Sequence, residues 1–221
     1  MIIHDVLKES PPLPDDWDKN VYSAGNKGGF KARIEYAKQK AQRIGGGSSR
    51  VAFIIDYQGR KTVLKIAKNN KGLAQNEQEV NMLHTAEMLG ASGTVTVPMI
   101  DYDEEGNQPS WLHVEYARKL KSEKEFADLT GFNMYDLIAY SASVSHNRSF
   151  PSAHNKEFSP SWVEDIWEDE DSFAYEFVSF VGNTELHLPD LTRPANWGVY
   201  KNNPVIIDLG LSDDVYQTHY S

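Results

Sequence analysis

The sequence predicts an α+β fold in two lobes, a small antiparallel sheet lobe first and a reduced, mostly helical lobe after it. Three observations predict it. Two pairs of β-branched, apolar-rich runs joined by turn sequences occupy the first half, one helical pattern lies between those pairs, and helical spacing takes over in the second half. With 221 residues, 40% of them hydrophobic and 24% charged, the chain suits one domain of two lobes, or two small domains, with a real core.

Residues 10–29 are rich in turn formers and read as an irregular lead-in. A helix is expected over 30–44, where Phe30, Ile34, Ala37 and Ala41 share a face, and it stops at "GGGSS". From Arg50, "RVAFIIDYQGRKTVLKIA" reads as two strands about the turn "DYQG". "GLAQNEQEVNMLHTAEML" (72–89) follows as a helix, with Val80, Leu83, Met88 and Leu89 as a partial apolar stripe. A second hairpin joins "TVTVPMIDY" to "WLHVEYA" across the longer loop "DEEGNQPS".

Helices are expected over 134–144 and 172–182, the latter with Phe173, Phe177 and Phe180 on one face. The polar stretch beginning "SHNRSFPS" separates them, and Ser159 before Pro160, or Ser161 with Glu164, can start a helix over "WVEDIWEDED". The acidic run there reads as a solvated helix face. "WGVYKNNPVIIDLG" closes the pattern as two short strands about "KNNP". The chain then divides into a lead-in and helix (1–44), a sheet lobe (45–117) and a truncated helical lobe carrying the last hairpin (118–221).

A formal charge of −10, without a dense Lys/Arg block, argues against nucleic acid as a partner. The absence of cysteine excludes a disulfide framework, a thiolate nucleophile and Cys-based metal sites. No apolar run approaches the length that spans a bilayer and the N-terminus lacks a leader pattern, so a soluble, cytoplasmic protein without a membrane partner is expected. His146, His154 and His187 lack the spacing of a metal site. The tryptophans and tyrosines read mostly as packing.

Several residue types suit phosphate chemistry. Gly45, Gly46, Gly47, Ser48 and Ser49 can bring backbone N–H groups close to oxygen atoms, although no Walker pattern follows. Lys65 lies in the return strand of the first hairpin, where an ammonium needs a carboxylate to hold it, and Glu77 or Glu79 can supply one from the next helix. Asp190, Asn196 and Asp208 place hard oxygen donors at loop and strand ends, a donor set that suits Mg²⁺ sharing phosphates. Each alone also reads as a connector, a surface lysine, a helix acid or a turn acid.

Taken in order, glycine loop, hairpin lysine, helix glutamate, second hairpin, helices, Asp/Asn loop and "IIDLG", the chain resembles the protein-kinase-like fold. Through "GSSRVAF", "VLKIAKNNKGLAQNEQEV" and "DLTRPANWGV" it is similar in particular to small kinase-like proteins of bacteriophages, which would put it in a host cytoplasm. The resemblance implies ATP and Mg²⁺ as cofactors. It implies that Gly45 to Ser49 cover the phosphates, that Lys65 touches the α/β-phosphates and pairs with Glu79 or Glu77, and that Glu115, Tyr116 and Ala117 form the hinge that meets adenine. Asp190 would be the catalytic aspartate, with Asn196 and Asp208 on the metal. Apart from the resemblance, Arg193, placed between Asp190 and Asn196, reads either as a surface arginine or as a cation that neutralises the γ-phosphate.

The departures are definite. "HLPD" stands where His-Arg-Asp is usual, and the asparagine comes six residues after Asp190, beyond Pro194. The sequence given ends eleven residues after Gly210, so control through a phosphorylated activation loop is not expected. The expected function is γ-phosphoryl transfer from ATP to a hydroxyl of a protein or small-molecule acceptor. Two other readings stay open: a pseudokinase-like module that binds nucleotide or a partner, and a kinase-like enzyme that transfers AMP.

Overall fold

A computed structural model of the chain describes residues 13–22, 29–147 and 149–210, with Ser212, Val215 and Thr218. The N-terminus read for a leader and residues 10–12 and 23–28 of the expected lead-in lie outside the described residues; within the rest, Lys19–Tyr22 forms a short helix, α1. Helix α2 spans Phe30–Lys40, not 30–44, and Gln42–Gly46 is instead the edge strand β1. Pairing wins over helical spacing here: Gln42 faces Ile54 and Gly46 faces Val51 across an antiparallel ladder, and glycines are poor helix formers.

Strands β2 (Arg50–Tyr57) and β3 (Arg60–Ala67) form the expected hairpin, and helix α3 (Asn70–Met88) follows, with the Asn69 side chain capping it through Gly72 N–H. Of the second hairpin, only β4 (Met99–Tyr102) and β5 (Trp111–Glu115) are strands; before Pro98, which has no N–H, Thr96 makes isolated bridges to Ser92 and Ile206 and no ladder forms. The antiparallel sheet runs β1-β2-β3-β5-β4. Its two faces follow strand alternation. Val51, Phe53 and Ile55 join Leu64, Ile66 and Trp111 under Ala37 of α2. On the other face, Leu112 and Val114 pack with Val80 and Leu83 of α3.

The second lobe holds β6 (Arg118–Lys119), α4 (Glu123–Thr130), α5 (Met134–Ser145), α6 (Pro160–Trp167), α7 (Phe173–Gly182), β7 (Trp197–Tyr200) and β8 (Asn203–Ile206). Helix α4 was not expected, yet its signal is ordinary: Ser122 accepts from Glu125 N–H while Glu125 accepts from Lys121 N–H, close to a capping box. At α6 the cap is Ser159, with Pro160 in the first turn. The polar stretch before it contains a 3-10 turn, Pro151–Asn155. No helix among the described residues is long and apolar enough to cross a membrane.

Trp197 anchors this lobe. It is fully buried, its ring centroid lies 5.1 Å from that of Phe126 and 5.8 Å from that of Phe177, and its Nε1 donates to the Leu191 carbonyl at 2.7 Å. Strand β8 is also tied to the sheet lobe, since Ile206 N–H donates to Val95 O at 2.8 Å. Near that junction, Glu176 of α7 keeps Oε2 buried without a hydrogen bond, and burial raises its pKa above the ordinary 4.5 despite the Thr94 hydroxyl beside it. A carboxyl whose folded pKa is raised contributes stability that is complete below the unfolded pKa and is lost as pH rises through the folded one. Denaturant unfolding of wild type and Glu176→Gln is therefore expected to show wild type losing ground to the variant as pH rises from about 4.5 and levelling off above the raised pKa. A difference that does not change with pH would contradict this.

Candidate functional site

The sheet's α3 face carries two cations. Arg50, Ala52 and Ile54 alternate on β2, and Val63, Lys65 and Ala67 on β3, with Arg50 opposite Ala67 and Lys65 opposite Ala52. Each long cation thus lies across from an alanine. Lys65 donates to Glu79 Oε1 and, at 2.7 Å, to the Ile207 carbonyl. Arg50 donates to Glu79 Oε2 at 2.5 Å, to Asn76 Oδ1 at 3.4 Å and to Asp208 Oδ1. Glu79 is fully buried, so it is tolerated only because two cations share it. Glu77 points elsewhere: it accepts from Gln108 at 2.7 Å.

Asp208 sits at the outer side of this cluster, its side chain 55% exposed toward the cleft. Crowding around it works to raise its pKa, but the charges of Arg50 and Lys65, with the Gly210 N–H, outweigh that and hold it below the usual aspartate value. Gly210 is needed for space, because a Cβ there would lie 2.5 Å from a guanidinium nitrogen of Arg50.

The glycine turn is clipped to the start of α3. Lys68 Nζ donates to Gly47 O at 2.8 Å, Asn69 Nδ2 to Ser48 O at 3.1 Å, and the buried Ser49 hydroxyl to Gln75. Such proximity requires Gly72, where a Cβ would stand 2.2 Å from the Ser49 carbonyl oxygen. Gly45 and Gly46 end β1 and Gly47 begins the turn. At the other edge of the cleft, β5 ends at Glu115, whose carboxylate is held by Arg60 at 2.8 Å and whose N–H donates to Pro98 O at 3.0 Å; Tyr116 and Ala117 follow.

Below, the loop before β7 brings the remaining residues together. Buried Trp197 fixes Asn196 beside it, and Asn196 O accepts from Ile207 N–H at 2.9 Å, so Asn196 and Asp208 flank one end of the β7–β8 hairpin. Asn196 Nδ2 donates to the Asp190 carbonyl at 2.8 Å. The Asp190 carboxylate lies 3.7 Å from the Arg193 guanidinium, which is 73% exposed. Asp190 and Arg193 stand beside the cleft and are not among the residues that line it.

The cleft encloses about 710 Å³. Ile44, Ala52, Val63, Val97, Val114 and Ile207 give it apolar walls suited to a flat ring, and the glycine turn, Lys65, Asn196 and Asp208 give it a polar end. Among the described residues no cluster of His, Cys, Asp and Glu could hold a metal alone. Two adjacent oxygen donors, Asp208 and Asn196, fit Mg²⁺, which takes its other ligands from water and phosphate. The cleft also contains what the sequence reading passed over: Arg50 and Gln75. Arg50 had a signal, since it shares the alternation of Ala52 and Ile54, two places before a residue paired with Lys65.

No protein-family model matches the chain, and no curated protein matches it. Among solved structures it is similar to WaaP in complex with acyl carrier protein, at 16% identity and TM-score 0.31 over 51% of this chain and 47% of that one. It is similar to the PknI kinase domain of Mycobacterium tuberculosis at 14% identity and TM-score 0.33, over 78% and 58% of the two chains. A thermostable mutant of the aminoglycoside phosphotransferase APH(4)-Ia, in ternary complex with ADP and hygromycin B, matches at 10% identity and TM-score 0.37 over 86% and 74%. The chain spans about half the length of WaaP. What the cleft does is read from its own residues.

Removing the shared carboxylate and its neighbour distinguishes their positions. Glu79→Gln is expected to cost about 3–5 kcal/mol in denaturant unfolding, because two buried cations lose their partner. Glu77→Gln is expected to stay within about 0.5 kcal/mol of wild type. Equal effects would contradict the arrangement.

Proposed function

We propose that the chain is an ATP- and Mg²⁺-dependent phosphotransferase that moves the γ-phosphoryl group to a hydroxyl on a protein or small molecule. The observation that carries this reading is the buried Lys65–Glu79 pair opening onto the same cleft as Asn196 and Asp208. A lysine held by a buried carboxylate is an oriented positive charge, and phosphoryl transfer needs positioning and charge stabilisation more than covalent help. The apolar walls would take the base, with the Glu115 to Ala117 backbone at its edge. Gly45, Gly46, Gly47, Ser48 and Ser49 would lie over the phosphates, and Lys65 would reach the α/β-phosphates.

Asp208 and Asn196 would hold Mg²⁺, which when bound neutralises phosphate charge. Asp190 would orient the acceptor and take its proton as the acceptor oxygen bonds to the γ-phosphorus and the bond from that phosphorus to the β,γ-bridging oxygen breaks, releasing ADP. Arg193, already beside Asp190, would neutralise the γ-phosphate. A second reading, a binding module without transfer, draws on two observations: Arg50 takes an oxygen of Asp208, and Asp190 stands outside the cleft lining.

Incubation with ATP labelled at the α- or γ-phosphate, with Mg²⁺ and with water as the default acceptor, tests the proposal. The γ-label is expected to leave the nucleotide and the α-label to stay, with Asp190→Asn and Asp208→Asn each slower by about 10²-fold or more. Movement of the α-label to an acceptor would mean AMP transfer. No movement of either label from bound ATP would favour the binding module.

A further inference from the structure

We propose that Arg50 is a built-in counter-cation for Asp208: it aims that carboxylate in the bare protein and keeps divalent metal out until a nucleotide brings its phosphates. The proposal rests on the reading of the cleft as a nucleotide site and adds to it an order of binding, nucleotide before or with metal.

Four observations carry it. The guanidinium forks between two carboxylates from distant parts of the chain, one nitrogen on Glu79 and the other on Asp208, 158 residues away. Arg50 is 8% exposed and lies opposite Ala67, so its side chain is held across the sheet and not spread on the surface. The turn after Asp208 is shaped around it: Gly210 does not use a left-handed backbone, yet a Cβ on it would collide with the guanidinium. Finally, among the described residues the four charged groups joined by these ion pairs, Arg50, Lys65, Glu79 and Asp208, sum to zero, and no group of three His, Cys, Asp or Glu side chains could hold a metal.

The consequence is competitive. A metal at Asp208 must share a carboxylate that already binds a fixed cation, and it approaches a cluster without net negative charge. Nucleotide phosphates change that balance by bringing several negative oxygens to the same place. The freed guanidinium then has phosphate oxygens within its chemistry as replacement acceptors.

Mn²⁺ titration without nucleotide, followed by the spin-resonance signal of the free ion, is the test. Wild type and Asp208→Asn are expected to bind Mn²⁺ equally weakly. Arg50→Met is expected to bind it about 10- to 100-fold more tightly than wild type, and the added substitution Asp208→Asn to remove that gain. Arg50→Lys keeps a cation for Glu79 but cannot fork to Asp208, so it is expected to gain in the same direction and covers the case in which Arg50→Met does not fold. Wild-type Mn²⁺ binding that Asp208→Asn abolishes would overturn the proposal, as would folded Arg50 variants no tighter than wild type. None of these titrations contains nucleotide, so their outcome is separate from whether ATP binds, which a metal-free ATP titration of wild type reports.

Discussion

One buried carboxylate shared by two cations sets the geometry of the cleft. Glu79 has no access to water, and an ionised group in that position is tolerated only with close, well-directed partners. Lys65 and Arg50 supply them from neighbouring strands, so α3 must lie at one depth and one rotation against the sheet. Gly72 permits that depth, since any side chain there would meet the Ser49 carbonyl. The glycine turn is then fixed by Gln75 of the same helix and by Lys68 and Asn69, which lead into it.

The second lobe delivers its groups to this cluster by a short route. Aromatic packing holds Trp197, Trp197 holds the loop that ends in Asn196, and the β7–β8 hairpin returns the chain to Ile207 and Asp208. The Ile207 carbonyl meets Lys65 while the Asp208 carboxylate meets Arg50, so consecutive residues close the cleft from below on the two cations. The bond from Ile206 to Val95 fixes the hairpin to the sheet lobe near the same place. Fold and candidate site are therefore stabilised by the same contacts.

Much of this was legible in the sequence because it is local. The hairpin about "DYQG", the helices over 134–144 and 172–182 and the final strand pair follow from period and turn chemistry, and they place Lys65, Glu79, Asn196 and Asp208 at element ends or faces where the structure has them. What was not legible depends on long-range pairing. Strand β1 reads as helix until β2 is there to pair with it. The choice between Glu77 and Glu79 turns on helix rotation against the sheet, and two residues apart on a helix means nearly opposite faces. Arg50 is an ordinary strand residue until Asp208 arrives from the far end of the chain. Helix α4 did have a local signal, in Ser122 and Glu125, that short apolar content hid.

The central claim is that the cleft with Lys65 at its polar end is a nucleotide site. Thermal unfolding of wild type and Lys65→Met, with and without Mg²⁺ and ATP, tests it most directly. A ligand that binds only the native state at about 100 times its dissociation constant adds about 2.7 kcal/mol, enough to raise the midpoint by several degrees. The account predicts that Mg²⁺ with ATP raises the midpoint of wild type and leaves that of Lys65→Met nearly unchanged. An unshifted wild type, or an equal shift in both proteins, would contradict it.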